Sequence, residues 1–535
     1  MKVLLTHGYF LADDPKEQRI MKPYVPLGIL YLAAYLEQRG TPVEVFDTTF
    51  ASRPALERRL LEARPDVVGI YTNLMTKMGV LAIVRFIRSR PELVHTRVVL
   101  GGPEVTHHVD RFLQHGADVV VIGEGEETMH ALVGAWREGG VSAPLGDIPG
   151  VAFRDPATGA TVRTAPRALL KSLDELPMPK RDAVDLQPYL DAWRTRHGSN
   201  AVSVSTMRGC PYSCRWCSRA VYGGSYRRRS PKLVADEIQL IVDRYHPDSL
   251  WFVDDVFTIN HSWLAALTDE LARRDLRVPY ECITRADRLN ERAVGLLQKS
   301  GCFRVWIGAE SGSQKILDAM DRRVTVHQVR DMIQLAKKHG IETGTFIMLG
   351  YPGETEADIE ATIEHLKAAD PDQFTITVSY PIKGTPLYDD AVELRTDPGP
   401  WETTTDRDIK LKHAHSSLYY WFATTRVVSE VRHHKLVRAN GNGHGGARPA
   451  LAVVRARAKA LMARAAMRID PALRALEDRA RVLVGASGAG SGSGGGGRGT
   501  GGGGAGVIGS DGARLGGGGG NGGGGRLPVI AHTGS

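Results

Sequence analysis

Short apolar runs alternate with amphipathic stretches through the first 140 or so residues. Residues 2–5, 43–46, 66–71, 97–100 and 118–122 each predict a buried strand. Helical patterns lie between them at 27–39, 55–63, 78–88 and 108–115. Such alternation implies a parallel sheet covered on both faces, hence a doubly wound α/β domain over residues 1–144. Ligands of such sheets sit at the carboxyl ends of the strands. Here those ends carry Thr72-Asn73-Leu-Met-Thr76, Gly101-Gly102-Pro-Glu104 and Gly123-Glu124-Gly125-Glu126. Glycine there either lets backbone approach a ligand closely or ends the strand with a plain turn. Three such loops at one sheet end favour the ligand.

Residues 145–200 read as a connector, with a hairpin over 151–155 and 161–164 and an extended stretch at Leu176-Pro-Met-Pro179. A second alternation fills residues 201–390. Its strands are predicted at 201–206, 249–253, 280–284, 303–308, 344–349 and 374–378, with helices at 232–245, 262–274, 291–300, 326–338 and 357–368. Six strand–helix units suit a partial parallel barrel or an open sheet, and periodicity does not choose between them. Residues 391–484 pattern as mostly helical. The tail from 485 to 535 is rich in glycine and serine, which predicts disorder.

Composition is that of a globular protein, 42% hydrophobic and 24% charged among 535 residues. The net charge of +8 gathers toward the C-terminus. There Arg455, Lys459, Arg464 and Arg468 alternate with Leu451, Val454, Ala458, Leu461 and Ala465. This stripe is expected to pack on the barrel or to touch an anionic membrane surface. No nucleic-acid motif accompanies the charge, so a nucleic-acid partner is not expected. With no signal peptide and no apolar run of membrane-spanning length, a cytoplasmic location is expected.

Of five cysteines, Cys210, Cys214 and Cys217 fall within eight residues, in Arg208-Gly-Cys-Pro-Tyr-Ser-Cys-Arg-Trp-Cys-Ser218. They occupy a loop after the first strand of the second domain. Three thiolates bind three irons of a 4Fe–4S cluster and leave the fourth open. A structural zinc site would want a fourth ligand, and none is near. Cys282 and Cys302 sit in apolar strands and read as core residues.

The CxxxCxxC spacing, with Trp216 before the last cysteine, resembles the signature of the radical S-adenosylmethionine superfamily. Phe252-Val-Asp-Asp-Val-Phe257, Arg285, Gly308-Ala-Glu-Ser-Gly312 and Gly350-Tyr-Pro-Gly-Glu354 resemble its cobalamin-dependent members in order and position. The first domain is similar to their cobalamin-binding module, and the likeness spans roughly residues 1–390. It implies a partial (β/α)6 barrel, with the open iron taking the amine and carboxylate of S-adenosylmethionine. Asp254, Arg285 and Glu310 are then candidates to hold that molecule's amine, carboxylate and ribose, against the alternative that each caps a neighbouring element. The Asp-x-His-x-x-Gly motif of methionine-synthase-type cobalamin domains is absent, and His7-Gly8 does not replace it. Cobalamin is therefore expected without a protein histidine on cobalt, with Thr72 to Thr76 below the corrin. A domain that has lost cobalamin stays open. His107 and His108 are expected to start a helix.

The resemblance implies cleavage of S-adenosylmethionine to a 5′-deoxyadenosyl radical, with a flavodoxin- or ferredoxin-type electron donor. It further implies cobalamin-dependent methylation of an unactivated carbon in a small molecule or lipid. The alternatives are a radical cyclase or oxidase of a porphyrin-like substrate, resembling the anaerobic magnesium-protoporphyrin ester cyclases, and a cobalamin-binding sensor with a structural cluster.

Overall fold

Parallel strands need a crossover between them, and each apolar run here is followed by a stretch long enough to supply one. The computed structural model describes residues 1–411, 415–441 and 447–470. It forms two units: Met1–Val305 with His339–Ile341 and Tyr380–Lys410, and Trp306–Lys338 with Glu342–Ser379 and the described residues from Leu411 onward.

The first unit opens with strands β1 (Val3–His7), β2 (Val43–Phe46), β3 (Val67–Tyr71), β4 (Arg97–Gly101), β5 (Val119–Val121), β6 (Val151–Arg154) and β7 (Thr161–Arg163). They form one sheet in the order β2-β1-β3-β4-β5-β6-β7. β1 to β5 run parallel, with Val3 opposite both Val43 and Val67. The hairpin β6–β7 joins β5 antiparallel, Val121 facing Val151, so the segment read as a connector supplies the sheet's edge. Helices α1 (Pro15–Ile20), α2 (Leu27–Gln38), α3 (Arg53–Ala63), α4 (Lys77–Arg88), α5 (Val109–Gln114) and α6 (Glu126–Gly139) intervene. Two apolar clusters cover the faces, one around Leu4, Val68, Leu81 and Leu100, the other around Leu5, Ile29, Val99 and Leu132.

The chain switches direction between β1 and β3, which places a ligand crevice outside their carboxyl ends. There α4 lies directly on the loop after β1, because a Cβ on Gly79 would stand 2.0 Å from the Gly8 carbonyl oxygen.

α7 (Gln187–His197) leads into β8 (Ala201–Val204). β9 (Met207–Arg208) and β10 (Arg227–Arg228) pair antiparallel and close a loop that contains the three clustered cysteines. α8 (Pro231–Tyr245), β11 (Ser249–Phe252), α9 (His261–Arg273), β12 (Tyr280–Thr284) and α10 (Glu291–Lys299) follow, with β8, β11 and β12 parallel. β13 (Cys302–Glu310) begins in the first unit and ends in the second.

The second unit continues with α11 (Gln314–Ala319), α12 (Val326–Lys338), β14 (Glu342–Leu349), α13 (Glu356–Ala369) and β15 (Gln373–Val378). β14 and β15 pair parallel, and Trp306 stacks on Phe346. Residues 380–410 belong to the first unit and hold the short helix α14 (Pro386–Asp390). The described residues from there to Ser416 contain no α-helix, although this stretch patterns as helical.

In the second unit, α15 (Ser417–Gly441) and α16 (Ala447–Arg468) pack on each other. α16 buries Ala456, Ala460, Ala463 and Met467. Leu451, Val454, Ala458, Leu461 and Ala465 are exposed instead, which overturns the expectation that this stripe packs inward. Small side chains let the two helices approach closely, so the alanines take the contact and the larger apolar residues face out. The glycine-rich tail predicted as disordered, and the basic stretch from Pro471 to Arg481, lie outside the described residues. Among the described residues no helix is long and apolar enough to cross a membrane.

Candidate active site

Two rims of strand ends in the first unit carry the predicted site residues. At the end of β3 the side chains turn back into their own loop. Asn73 Oδ1 accepts from the backbone N–H groups of Met75 and Thr76 at 2.9 Å, and Thr76 Oγ1 accepts from Asn73 N at 2.8 Å. Thr72 is fully buried, and its hydroxyl donates to the Ile70 carbonyl at 3.4 Å. Asn73, Thr72 and Thr76 therefore lock the turn into α4, leaving backbone and the half-buried Leu74 and Met75 toward the crevice.

Gly102 packs against this loop with φ +105, where a Cβ would meet the Thr72 carbonyl oxygen at 2.4 Å. Its glycine is required by packing. Gly101 and Gly123 differ, since a Cβ at either would meet nothing nearer than 3.9 Å, and at Gly125 nothing within 4 Å. Only Gly123, with φ +86, needs glycine for its backbone. Open room beside bare backbone at these strand ends is what a large ligand needs for close approach.

Glu104 is buried, and its Oε1 has no hydrogen-bond partner. Burial, with Asp406 nearby, pushes its carboxyl up to about 7 against the pull of Lys77 and Lys383. His108 Nε2, 3.7 Å from Glu104 Oε1, is also buried and unpartnered. Burial and the surrounding cations push His108 down to about 3, so it is neutral at physiological pH. His107 ends a short 3-10 turn and His108 caps α5, as the sequence predicts for a helix start. His7 is unsuited to cobalt, because Asp47 engages its Nε2 at 2.9 Å and Thr48 its Nδ1 at 2.9 Å.

Glu124 points away from this crevice. Its Oε1 accepts from Arg208 at 2.8 Å, and its Oε2 accepts from Arg227 at 2.7 Å and from Leu170 N at 2.9 Å. Burial opposes ionisation, but the two arginines hold the carboxyl below its ordinary value. Of the residues expected to touch the cofactor, Glu124 is thus committed to protein partners.

The second rim lies at the ends of β8, β11 and β12. Cys210 is half-buried, Cys214 buried and Cys217 exposed, and none of the three forms a disulfide. The backbone N–H of Cys217 donates to the Cys214 carbonyl at 3.2 Å, which turns the loop. Arg285 is buried beneath it, with Nη1 3.5 Å from Cys214 Sγ, Nε 2.7 Å from Asp287 and the guanidinium 3.8 Å from the Tyr212 ring centre. Among the described residues no three His, Cys, Asp or Glu side chains gather closely enough to hold a metal ion, so Cys210, Cys214 and Cys217 share one loop without forming a closed cage. The donor set suits a cluster, being three soft thiols on one loop beside a fixed cation.

Asp254 does not face this rim as a free carboxylate. It is buried, and it accepts from Thr206 N at 2.7 Å, Met207 N at 3.2 Å, the Thr206 hydroxyl and Arg228 Nη2 at 3.0 Å. It pins the turn that starts the cysteine loop. The next residue, Asp255, is exposed and close enough to Cys210 to raise its thiol, behind the larger effect of burial. Just past the end of β11 burial still alternates from residue to residue, so one aspartate builds the loop while the other is left accessible.

Glu310 lies in the second unit, nearly buried, in the left-handed region with φ +63. Its Oε1 is 3.6 Å from Arg322, which also donates to the Gly308 carbonyl at 3.0 Å. A non-glycine residue held there signals strain retained at a strand end. Cys282 and Cys302 are buried core residues of the first unit.

The sequence profile of the radical SAM superfamily matches residues 204–366, and that of the B12 binding domain matches residues 20–133. The chain belongs to the cobalamin-dependent radical S-adenosylmethionine enzymes, in which a Rossmann-like B12-binding domain precedes the radical SAM domain. Its cofactors are a 4Fe–4S cluster, S-adenosylmethionine and cobalamin, and its activity is of the methyltransferase group.

An uncharacterised methyltransferase of Pyrococcus horikoshii is 30% identical over 400 residues, covering 72% of this chain and 83% of that one. The anaerobic magnesium-protoporphyrin IX monomethyl ester cyclase of Rubrivivax gelatinosus is 28% identical over 383 residues, 70% of this chain and 66% of the cyclase. Among solved structures, the radical S-adenosylmethionine methyltransferase TsrM of Kitasatospora setae, with cobalamin and a [4Fe–4S] cluster bound, superposes with a TM-score of 0.61 at 20% identity. That match covers 74% of this chain and 76% of TsrM.

Proposed function

We propose that this chain methylates an unactivated carbon of a small molecule or lipid, with Cys210, Cys214 and Cys217 as the cluster ligands. The observation that carries the site is the cysteine loop itself, three thiols outside any disulfide, closed by the β9–β10 ribbon and backed by Arg285. When bound, the cluster supplies the electron that cleaves S-adenosylmethionine, and cobalamin supplies the methyl group.

The chain's own residues position and shield the reactants. Asp255 offers its accessible carboxylate to the ammonium of S-adenosylmethionine, a role its buried neighbour Asp254 leaves to it. Arg285 places a fixed positive charge 3.5 Å from Cys214 Sγ, beside the thiolate that metal ligation needs. Gly101, Gly123 and Gly125 admit the corrin to bare backbone, and burial disfavours the charged forms of both Glu104 and His108 beside that crevice.

The test is anaerobic reconstitution with iron, sulfide and hydroxocobalamin, followed by methyl-labelled S-adenosylmethionine and a reductant. Production of 5′-deoxyadenosine with label entering a carbon–methyl product is the expected result. 5′-Deoxyadenosine with unlabelled, ring-closed or oxidised product would favour the cyclase reading that the Rubrivivax relative suggests. No 5′-deoxyadenosine from protein holding its cluster would overturn the enzyme assignment.

A second proposal concerns location. α16 exposes Leu451, Val454, Leu461 and Met462 among Arg455, Arg457, Lys459, Arg464 and Arg468. Apolar side chains interleaved with cations suit the surface of an anionic bilayer, where a lipid substrate would be met. Co-sedimentation with phosphatidylserine vesicles and not with neutral ones is expected; equal absence from both would remove this proposal.

A further inference from the structure

The neck of the cysteine loop contains an arrangement that would repel itself if left alone. Arg208 and Arg227 stand directly opposite each other in the β9–β10 ribbon. Like charges facing across a strand pair are destabilising, and here both side chains are nearly buried. The countercharge comes from the first domain. Glu124 takes Arg208 on one oxygen and Arg227 on the other, while Glu126 takes Arg208 alone.

The mechanical path on each side of these contacts is short. Toward the cluster, Arg208 is joined to Cys210 by Gly209 alone, whose φ is +83 and whose Cβ would lie 2.2 Å from the Ser225 carbonyl oxygen. That close approach holds the two sides of the neck together. Toward the crevice, Glu124 lies between Gly123 and Gly125, the two glycines that leave open room. Tyr222, from the same cysteine-bearing loop, and Tyr31 from α2 flank the Arg208 guanidinium at 5.3 and 5.6 Å.

We propose that Glu124 is a positioning residue for the cysteine loop: it closes the loop's neck, so that a ligand seated on Gly123–Gly125 tightens S-adenosylmethionine binding at the cysteines. The inference rests on the proposed sites for cobalamin and for the cluster. Coupling of this kind is reciprocal, each ligand raising the affinity for the other by the same factor.

The experiment uses the full chain with its cluster reconstituted. S-adenosylmethionine affinity is measured with and without hydroxocobalamin, from the change it causes in the electron paramagnetic resonance signal of the reduced cluster. In the wild type, hydroxocobalamin is expected to tighten S-adenosylmethionine about 5-fold or more, the lower end of typical coupling. Glu124→Gln keeps the side chain's shape and removes the charge. It is expected to retain iron and to bind hydroxocobalamin, but to lose the tightening. Glu127→Gln, which disturbs the partly exposed Arg167 pair nearby, is expected to keep it. Glu124→Asp keeps the charge and shortens the reach; it answers the same question if the glutamine variant does not fold, and is expected to lose most of the tightening.

Tightening that survives in the Glu124 variants overturns the inference. So does a wild type that binds both ligands with independent affinities. A wild type that binds neither hydroxocobalamin nor S-adenosylmethionine overturns the proposed function instead.

Discussion

At the end of β3 the polar side chains fold back into their own loop, whereas at the ends of β8, β11 and β12 thiols, a carboxylate and a guanidinium are set around one loop. The first rim presents backbone and two buried titratable groups whose charged forms burial disfavours, Glu104 and His108. The second presents charge. A corrin edged with amides asks for many weak hydrogen bonds and room, and a fixed buried charge facing it would cost desolvation without a partner. A cluster and a zwitterionic sulfonium ask for soft donors and opposite charges held in place. On the proposed placement of cobalamin and the cluster, the two rims differ as their ligands differ, although both are built on the same parallel-strand plan.

Removing a thiol should break the second rim completely and leave the first untouched. Cys210→Ala, Cys214→Ala or Cys217→Ala is expected to abolish 5′-deoxyadenosine formation and cluster absorbance. Cobalt retained after gel filtration should match the wild type. Loss of cobalamin along with the cluster would mean that the rims are not separable.

The paired aspartates sharpen the contrast within the second rim. Asp254→Asn strips a buried carboxylate from Arg228 and from the Thr206 turn, and should cost about 3–5 kcal/mol of stability. Asp255→Asn should leave the melting temperature unchanged and weaken S-adenosylmethionine binding about 10-fold, as loss of one exposed charge contact would. Calorimetry and binding on the two variants would reverse the assignment if the effects were exchanged.

Glu104 tests how burial at the first rim shifts its charge with pH. Its carboxyl titrates near 7 in the folded chain, above the ordinary value of 4.5. Between pH 4.5 and 7 the unfolded chain therefore loses this proton while the folded chain keeps it, and stability falls as pH rises. The loss is on the order of 3 kcal/mol and levels off above the folded value. Glu104→Gln should remove that slope and be more stable than the wild type at pH 8, read from denaturant midpoints. His108 acts in the opposite sense: its depressed value makes the folded state lose stability as pH falls below 6.5. The glutamine variant should therefore lose the Glu104 contribution and keep that of His108, beside those of other shifted groups such as Glu354 and His365.

Much of the fold is legible in the sequence because runs such as Val67–Tyr71 and Tyr280–Thr284 are apolar, short and followed by amphipathic stretches. The cysteine spacing is equally legible, since a cluster needs its thiols close in the chain. What the pattern does not carry is the choice of partner. Alternation predicts the hairpin at 151–163 but not that it adds to β5. Composition shows Glu124 in a glycine loop but not Arg208, 84 residues away, as its partner. The order Asp254-Asp255 says that the two face opposite ways, and only the position of the Thr206 turn decides which is inward. In α16 the larger apolar residues look like the packing face, yet close helix contact selected alanines.

The glycines of the first rim give the smallest effect and the most specific one. Gly125 has φ −92, inside the range of ordinary residues, and a Cβ there would meet nothing within 4 Å. Alanine at that position should fold without strain and change stability by less than about 1 kcal/mol, in the favourable direction if at all. Gly102→Ala is the matched opposite, with φ +105 and the Thr72 carbonyl oxygen in the way, and should destabilise the domain. If backbone approach is what the first rim offers, Gly125→Ala must weaken cobalamin retention while its melting temperature holds. A Gly125→Ala chain that keeps cobalamin as tightly as the wild type would show that the open room at this loop is not where the corrin or its tail comes close.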